Sequence, residues 1–144
     1  MDNSKTNKRD NKIRIKKIEI IRKLKKIRLP KFDIIVAIGR DGIEPAHILK
    51  RFLGIPVYTI YLNYRDKNNK PIHKEPILKK PISNRLKKIK NKNILIVDAI
   101  SKTGKTLKKA KRLLKGNKTK TFVINGNADY SLFRYKKCIK WPWN

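Results

Sequence analysis

The sequence has a single cysteine and few acidic residues relative to its basic ones. One cysteine, Cys138, in 144 residues excludes an internal disulfide framework and a zinc site built from several cysteines. The chain has 10 acidic residues against 40 lysines and arginines. It also lacks a hydrophobic run of the about 20 residues that a membrane helix needs, and its start, MDNSKTNKRD, has no hydrophobic stretch typical of a secretory signal. We therefore expect one cytoplasmic domain of ordinary size.

The positive charge extends over the whole sequence. Residues 1–29 have 12 basic and 3 acidic residues, a net charge of +9, and residues 30–144 have 28 and 7, a net charge of +21. Lysines and arginines that contact phosphates release condensed counterions, so such a chain attracts polyanions. A lysine-rich genome is the alternative, but glutamate usually rises with lysine, and here it occurs only at Glu19, Glu44 and Glu75. We favour a polyanion partner.

The N-terminal part has the pattern of a basic arm followed by an amphipathic helix. Residues 1–12 are polar and charged, which is typical of a mobile arm. Over residues 13–29 hydrophobic residues recur at three-residue steps until Pro30, which predicts a helix. Its hydrophobic positions are Ile18, Ile21, Leu24 and Ile27. Such a helix can lie on a membrane surface or dock on its own domain, and we expect the commoner docked arrangement.

Hydrophobic runs alternate with helical periods in the rest of the chain. The predicted strands are residues 32–38, 56–62, 93–97 and 121–125. Helices are predicted over residues 43–53, stopped by Gly54, and 106–114, closed by Gly116. The hydrophobic face of the first of these helices comprises Ile43, Ala46, Leu49, Phe52 and Leu53. Residues 63–82 lack periodicity and predict a long loop. This order predicts an α/β fold with a parallel sheet and right-handed crossovers.

Residues 94–106, ILIVDAISKTGKT, carry the most chemical information. A hydrophobic strand ends at Asp98, and a loop then leads through Thr-Gly-Lys-Thr into a helix. Gly104 lets the backbone come close to an anion, and the amides and dipole of the first helical turn favour negative charge there. Thr103 and Thr106 add hydroxyl donors. The segment therefore predicts a phosphate site at the carboxyl end of a strand, where open α/β sheets bind ligands.

Residues 99–106 (AISKTGKT) also resemble a relaxed P-loop in which Ala replaces the first Gly. In that interpretation Lys105 contacts phosphates and Thr106 a magnesium ion. The late position of the motif argues against it, because no later strand ends in the Asp that a nucleotide switch needs.

Three segments in a fixed order support a different interpretation: 37–46 (AIGRDGIEPA), 97–106 (VDAISKTGKT) and 139–144 (IKWPWN). Together they resemble the type I phosphoribosyltransferases, especially the small purine enzymes for xanthine, guanine or hypoxanthine. The segments resemble that family's pyrophosphate loop, its phosphoribosyl pyrophosphate signature and its C-terminal hood over the nucleobase, and residues 63–82 lie where the family has a lid. The resemblance implies a parallel-sheet type I phosphoribosyltransferase fold over residues 30–144, with a small C-terminal hood and a basic N-terminal extension over residues 1–29.

The resemblance implies a role for each matching residue. Arg40 matches the arginine of the pyrophosphate loop, whose guanidinium suits a bidentate phosphate contact. Asp98 matches the acidic residue that holds the ribose hydroxyls. The phosphate-binding loop would consist of Lys102, Thr103, Gly104, Lys105 and Thr106. Trp141 and Trp143 would close over the nucleobase, although isolated aromatic residues more often cover a sheet edge.

Three departures from the family's pattern concern the chemistry. Ala99 stands at the second acidic position, which the family uses for ribose and hydrated magnesium. Lys102 stands where purine enzymes carry an Asp thought to handle the proton of purine N7, and an ammonium there disfavours the positive charge of an oxocarbenium ion. Asp41 replaces a glycine of the pyrophosphate loop. We therefore assign no catalytic residue and no protein-bound metal, and we expect Mg²⁺ only together with phosphoribosyl pyrophosphate if the protein is active.

Two functions from different classes follow. The first is a catalytically impaired relative that binds RNA, such as ribosomal RNA, with stacking of unpaired bases on Tyr61, Tyr64 or Trp143. The expected RNA contacts are Lys16, Lys17, Lys25, Lys26, Lys79, Lys80, Lys87, Lys88 and Lys90. The second is an active purine phosphoribosyltransferase.

Further expected partners are phosphoribosyl pyrophosphate or a nucleotide and a second copy of the chain, but no membrane. His47, His73 and Cys138 have no metal-ligand or catalytic partners in the sequence and are interpreted as ordinary surface or packing residues.

Overall fold

The computed structural model describes residues 6–7, 12–63 and 70–143. Its strands are β1 (Thr6–Asn7), β2 (Lys12–Arg14), β3 (Ile34–Gly39), β4 (Val57–Asn63), β5 (Ile77–Leu78), β6 (Asn93–Ser101), β7 (Lys118–Gly126), β8 (Tyr130–Phe133) and β9 (Ile139–Lys140). Its helices are α1 (Lys17–Lys26), α2 (Ile43–Leu53), α3 (Asn84–Lys87) and α4 (Lys105–Leu113). None of these helices has the length and hydrophobicity needed to cross a lipid bilayer.

The centre of the fold is a six-stranded sheet in the order β5-β4-β3-β6-β7-β8. Every neighbouring pair is parallel except β4 and β5. The predicted α/β fold with a mostly parallel sheet is therefore confirmed. A second sheet, β1-β2-β9, joins the two ends of the chain, with Ile13 opposite Ile139.

The sheet separates two hydrophobic layers, because successive side chains of a strand point to opposite faces. On one face Ile35 and Leu95 pack with buried residues of α1 and α2, including Ile20 and Leu49. On the other face the central strands pack with α3 and α4. The buried residues of that layer include Val36, Ile96, Leu86, Leu107 and Ala110. The α1 and α3 helices thus belong to opposite layers.

The helix predicted over residues 13–29 is wrong at both ends. Residues 12–14 form β2, and α1 runs only from Lys17 to Lys26. Ile18 is 51% exposed, whereas Ile20 and Leu24 are buried. The reason is that the alternation of Ile13 and Ile15 with basic residues suits a strand, and the partner strand β9 is more than a hundred residues away in the sequence.

Other differences concern the ends and the short elements. The β6 and β7 strands are longer than predicted, and β5, α3 and β8 were not predicted. Phe52, in the last turn of α2, is 44% exposed and does not belong to the core face. The predicted long loop contains β5, which pairs with β4. Most of the predicted basic arm, and residues 64–69 with Tyr64, lie outside the described residues.

Several of the few acidic residues accept hydrogen bonds from main-chain amides. The Asp33 carboxylate accepts a bond of 2.8 Å from the Asn93 N–H at the start of β6. Asp129 accepts from the Thr121 N–H at 2.9 Å in β7, and Glu19 accepts from the Lys16 N–H at 3.2 Å before α1. These bonds satisfy donors at the ends and edges of the regular elements.

Candidate functional site

A cleft of about 740 Å³ opens where β3, β4 and β6 end. Its walls come from the loop after β3, the end of β4, the loop between β6 and α4, and the segment around β9. The carboxyl ends of parallel strands are the usual position of ligands in open α/β sheets. The cleft is therefore the candidate ligand site.

The loop between β6 and α4 forms the floor of the cleft. Gly104, at the start of α4, has a φ of 79°, a conformation that glycine adopts without strain. The Thr103 hydroxyl oxygen accepts a hydrogen bond of 3.4 Å from the Lys105 N–H, and α4 begins there. The predicted loop residues Lys102, Thr103, Gly104, Lys105 and Thr106 all line the cleft.

Ser101 was not predicted to belong to the site, yet it also lines the cleft. Its side chain is 7% exposed, and its hydroxyl oxygen has no hydrogen-bond partner within the described part of the chain. A buried hydroxyl without a partner costs free energy unless a ligand or water satisfies it. Its place at the end of β6 next to the phosphate-type loop is the one signal that could have identified it in the sequence.

Asp98 lies in β6, is 9% exposed, and accepts a hydrogen bond of 2.7 Å from the Ala99 N–H. Burial raises the pKa of Asp98 to about 8; the bond from Ala99 acts in the opposite direction, and the negative charge of Asp41 adds to the rise. At neutral pH this carboxyl group is therefore mostly protonated. It is a hydrogen-bond donor and acceptor rather than a full negative charge.

The titration of Asp98 leads to a prediction about stability. Its pKa is raised in the folded state, so the folded state holds a proton that the unfolded chain releases near its ordinary pKa of 3.8. The stability that this proton contributes is full below that value and is lost as pH rises toward about 8, with a slope of about 1.4 kcal/mol per pH unit from a single proton. Asp98→Asn should remove this slope in urea unfolding curves recorded between pH 5 and 9, and an unchanged slope would contradict the assignment.

The loop after β3 forms a second wall. The peptide bond between Gly39 and Arg40 is cis, and both Arg40 and Asp41 line the cleft. At the next position a Cβ on Gly42 would lie 2.5 Å from the carbonyl oxygens of Ile38 and Val97, so only glycine fits between β3 and β6. Arg40 therefore stands on a tightly held loop that faces the site.

The two predicted hood residues have different positions. Trp141 lines the cleft but is only 8% exposed. Trp143 stacks on it with ring centroids 5.3 Å apart and an angle of 3° between the planes. The paired indoles leave little of Trp141 for a nucleobase to cover. Cys138 and Ile139, which were not predicted site residues, line the cleft beside Trp141.

The cleft is rich in positive charge. Its basic lining residues are Lys12, Arg40, Lys79, Lys102 and Lys105. Against them stand two acidic residues, Asp41 and Asp98. Because Asp98 is mostly protonated at neutral pH, Asp41 is the main negative charge among them. The cleft is thus suited to an anion.

The lysines predicted to bind RNA lie in several places. Lys16, Lys17, Lys25 and Lys26 lie on or beside α1, and Lys87 and Lys88 lie at α3, in the opposite layer. Lys79 lines the cleft, and the Lys80 ammonium lies 4.5 Å from the centre of the Tyr61 ring. Lys90 donates a hydrogen bond of 3.1 Å to the carbonyl oxygen of Lys115. These residues therefore do not form one flat patch.

Comparison with known families gives the class of the protein. The model of the phosphoribosyl transferase domain matches residues 11–142. The chain therefore belongs to the phosphoribosyltransferase domain family. A comparison with curated proteins finds no match.

Solved structures agree with this family. A purine phosphoribosyltransferase from Pyrococcus horikoshii is 29% identical, with a TM-score of 0.75, and 92% of this chain covers 93% of that one. A Neisseria gonorrhoeae protein with bound ppGpp is 27% identical, with a TM-score of 0.67, over 88% of this chain and 83% of that one. The Helicobacter pylori xanthine-guanine-hypoxanthine phosphoribosyltransferase shares the fold at 20% identity, with a TM-score of 0.59, over 88% and 82%. The chain is thus related to the purine phosphoribosyltransferases.

Magnesium is the metal that this family implies, and the residues present do not fit it well. Ala99 has no side-chain ligand atom and does not line the cleft, and the Asp98 carboxyl is buried and mostly protonated at neutral pH, which leaves Asp41 as the other acidic residue of the lining. Over the described residues, no three His, Cys, Asp or Glu side chains are grouped so that they could hold a metal ion. Mg²⁺ is usually bound through one or two carboxylates together with the phosphates of the substrate. The cleft therefore offers few of the carboxylate ligands that Mg²⁺ requires.

Proposed function

We propose that the protein binds a phosphorylated ribose compound in the cleft and is a poor phosphoribosyl transferase. One observation carries this proposal: the cleft keeps the groups that hold phosphate and lacks the carboxylates that assist transfer. The loop at Gly104 and the first turn of α4 remain, whereas Ala99 and Lys102 stand at two acidic positions of the family.

The ligand class follows from the donors of the cleft. Main-chain amides at the start of α4 and the hydroxyls of Thr103 and Thr106 suit the three oxygens of a phosphate group. The unpartnered hydroxyl of Ser101 is a further donor that a ligand could satisfy. The Neisseria gonorrhoeae neighbour contains ppGpp. These features support a purine nucleotide or phosphoribosyl pyrophosphate as the ligand.

We expect slow phosphoribosyl transfer because of the charges in the cleft. Breaking the bond to the ribose carbon develops positive charge on the sugar, which nearby carboxylates stabilise and nearby ammonium groups destabilise. Lys102 brings an ammonium to the cleft, and burial keeps Asp98 mostly protonated at neutral pH. An active purine phosphoribosyltransferase is the second candidate, favoured by the relationship to the Pyrococcus horikoshii enzyme.

RNA binding is the further function that we propose, on the basic surface outside the cleft. Exposed lysines lie at both α1 and α3, while Asp33, Asp129 and Glu19 are engaged with main-chain amides. With every acidic residue counted, the chain has a net charge of +30. A surface of this kind binds phosphate backbones irrespective of sequence.

Replacing Gly104 by Val tests the phosphate loop. The added Cβ would meet nothing within 4 Å, so the effect comes from the positive φ, which a β-branched residue adopts only with strain. We expect the affinity for guanosine 5′-monophosphate, measured by calorimetry, to fall at least about tenfold, because hydrogen bonds to a charged group contribute about 1.5–3 kcal/mol each.

Gly54→Val is the matched control for this test. Gly54 has a φ of 65° and equally open surroundings, but it ends α2 and precedes β4, at the opposite edge of the sheet from the cleft. The Gly54→Val variant should lose about as much stability as Gly104→Val and keep the nucleotide affinity of the wild type. Equal affinity in the wild type and Gly104→Val would show that the nucleotide binds elsewhere.

A further inference from the structure

We propose that the cleft holds its phosphorylated ligand without a divalent cation, and that lysine and arginine side chains supply the positive charge. The inference rests on the proposed function, since it concerns the same ligand and the same cleft. It starts from the disagreement between the residues present and the magnesium that the family implies.

The lining of the cleft is predominantly basic. Five basic residues face two acidic ones, and the basic residues come from separate parts of the chain. Arg40 stands on the loop after β3, Lys79 follows β5, and Lys102 is the first residue of the phosphate loop. A diphosphate placed between them would find cations on more than one side. A divalent cation entering the same space would be repelled by them.

Lys102 lines the cleft at a position where purine enzymes of the family carry a carboxylate. A carboxylate at position 102 would raise the negative charge of the cleft and require a cation to balance it against a phosphorylated ligand. Lys102 provides that cation as part of the chain, whereas Ala99 is buried in the hydrophobic layer of α1 and α2 and does not line the cleft, so the acidic residues of the lining are Asp41 and Asp98. The departure at Lys102 therefore reduces the need for a metal ion in the cleft.

Ser101 also indicates that the cleft binds a ligand. The Ser101 hydroxyl is buried in the cleft wall and has no hydrogen-bond partner among the described residues. It lies in the strand that leads into the loop of Lys102 and Gly104. A hydroxyl can donate to a phosphate oxygen directly, which requires no metal.

The test compares the binding of phosphoribosyl pyrophosphate in EDTA and in excess Mg²⁺, at equal ionic strength, by isothermal titration calorimetry. We expect the two dissociation constants to agree within threefold. Tightening by threefold or more with Mg²⁺ would overturn the inference and leave the proposed function standing. Absence of binding in both buffers would overturn the proposed function, and the inference with it.

Lys102→Met tests whether the Lys102 ammonium supplies the positive charge that holds the ligand. In EDTA it should weaken binding about tenfold or more, the effect of losing a charged hydrogen bond. Lys118→Met is the matched control. Lys118 is exposed at the start of β7, at the opposite end of the strands from the cleft, and its removal changes the net charge equally. Equal weakening in both variants, or none in Lys102→Met, would show that Lys102 does not replace the metal.

Lys102→Asp supplies the reverse test. The variant should bind phosphoribosyl pyrophosphate weakly in EDTA and gain at least about tenfold in affinity on addition of Mg²⁺, because it exchanges the lysine for a carboxylate that, together with Asp41, can bind Mg²⁺ alongside the phosphates. Lys102 is exposed, so the substitution should leave the fold intact, as circular dichroism can verify. A variant that binds equally in both buffers would contradict the role given to Lys102.

Discussion

The purified protein is expected to form nucleotide from phosphoribosyl pyrophosphate and guanine, hypoxanthine or xanthine at least about 10²-fold more slowly than a family enzyme that has both acidic residues. General acid–base groups each contribute about 10²–10⁴-fold to a rate, and Lys102 and Ala99 stand where two carboxylates would act. The assay is the formation of nucleotide from a labelled base, with Mg²⁺ present. Turnover comparable to that of ordinary family enzymes would favour the active enzyme over the impaired one.

Restoring the carboxylates should restore part of the rate. Lys102→Asp changes an exposed side chain and is the safer substitution, whereas Ala99→Asp introduces a carboxylate at a fully buried position of β6. We expect the double variant to be the faster if it folds, and Lys102→Asp alone to exceed the wild type. Lys102→Asn is the control without the charge. If Asp and Asn give the same rate, proton handling is not what the wild type lacks.

The affinity for RNA is expected to fall steeply with salt. A footprint of about 6–10 phosphates implies a loss of about 10³–10⁵ in affinity between about 50 and 200 mM salt. Fluorescence anisotropy of a labelled single-stranded and a labelled hairpin RNA, titrated at several KCl concentrations, measures this slope. A protein of equal net charge but unrelated fold is the reference. Equal affinities at near-physiological salt would contradict RNA binding as a function.

The structure also determines which RNA variants are informative. Deleting residues 1–29 would remove Ile15, Ile20 and Leu24 from the core, so loss of binding would be confused with loss of the fold. Lys87→Gln with Lys88→Gln changes exposed residues and should reduce the log–log salt slope by about two, since each phosphate contact contributes about 0.9. Lys90 is left unchanged because it holds the carbonyl of Lys115.

The same pair of substitutions can be made at α1, in the opposite layer, with Lys25→Gln and Lys26→Gln. If one RNA contacts both surfaces, either pair of substitutions should reduce the slope. If only one pair has an effect, the RNA binds to that layer.

The sheet could be predicted from the sequence where its strands are buried on both faces. The runs over residues 34–38 and 94–97, within the predicted strands 32–38 and 93–97, are continuous and hydrophobic, and the prediction needs only local residues. The pairing of β2 with β9 could not be predicted, because Ile13 becomes part of a strand through a partner at the other end of the chain. The short strands β5 and β8 likewise depend on neighbours that a local pattern does not contain.

The candidate site shows the same division. The residues of the phosphate loop are consecutive in the sequence, so the spacing of Asp98, Gly104 and Thr106 was sufficient to predict it. The opposite wall comes from Lys79 and Cys138, which are distant in the sequence and enter the cleft only through the fold. The protonation of Asp98 depends on its burial and on Asp41, and neither can be calculated from the spacing of residues. The mutual stacking of Trp141 and Trp143 is also a property of the folded chain.

The hydrogen bonds of the acidic residues set a limit on how far the composition of this chain can drift. A lysine in place of Asp33, Asp129 or Glu19 would raise the charge but leave a main-chain N–H without its acceptor. The bonds of Asp33 and Glu19 are exposed, so water can replace the acceptor there, but the bond of Asp129 is partly buried. A buried donor without an acceptor costs about 1–3 kcal/mol, a large share of the about 5–15 kcal/mol that stabilises a typical domain. Selection for a still more basic protein would therefore act on other surface positions before Asp129, which holds an edge of β7.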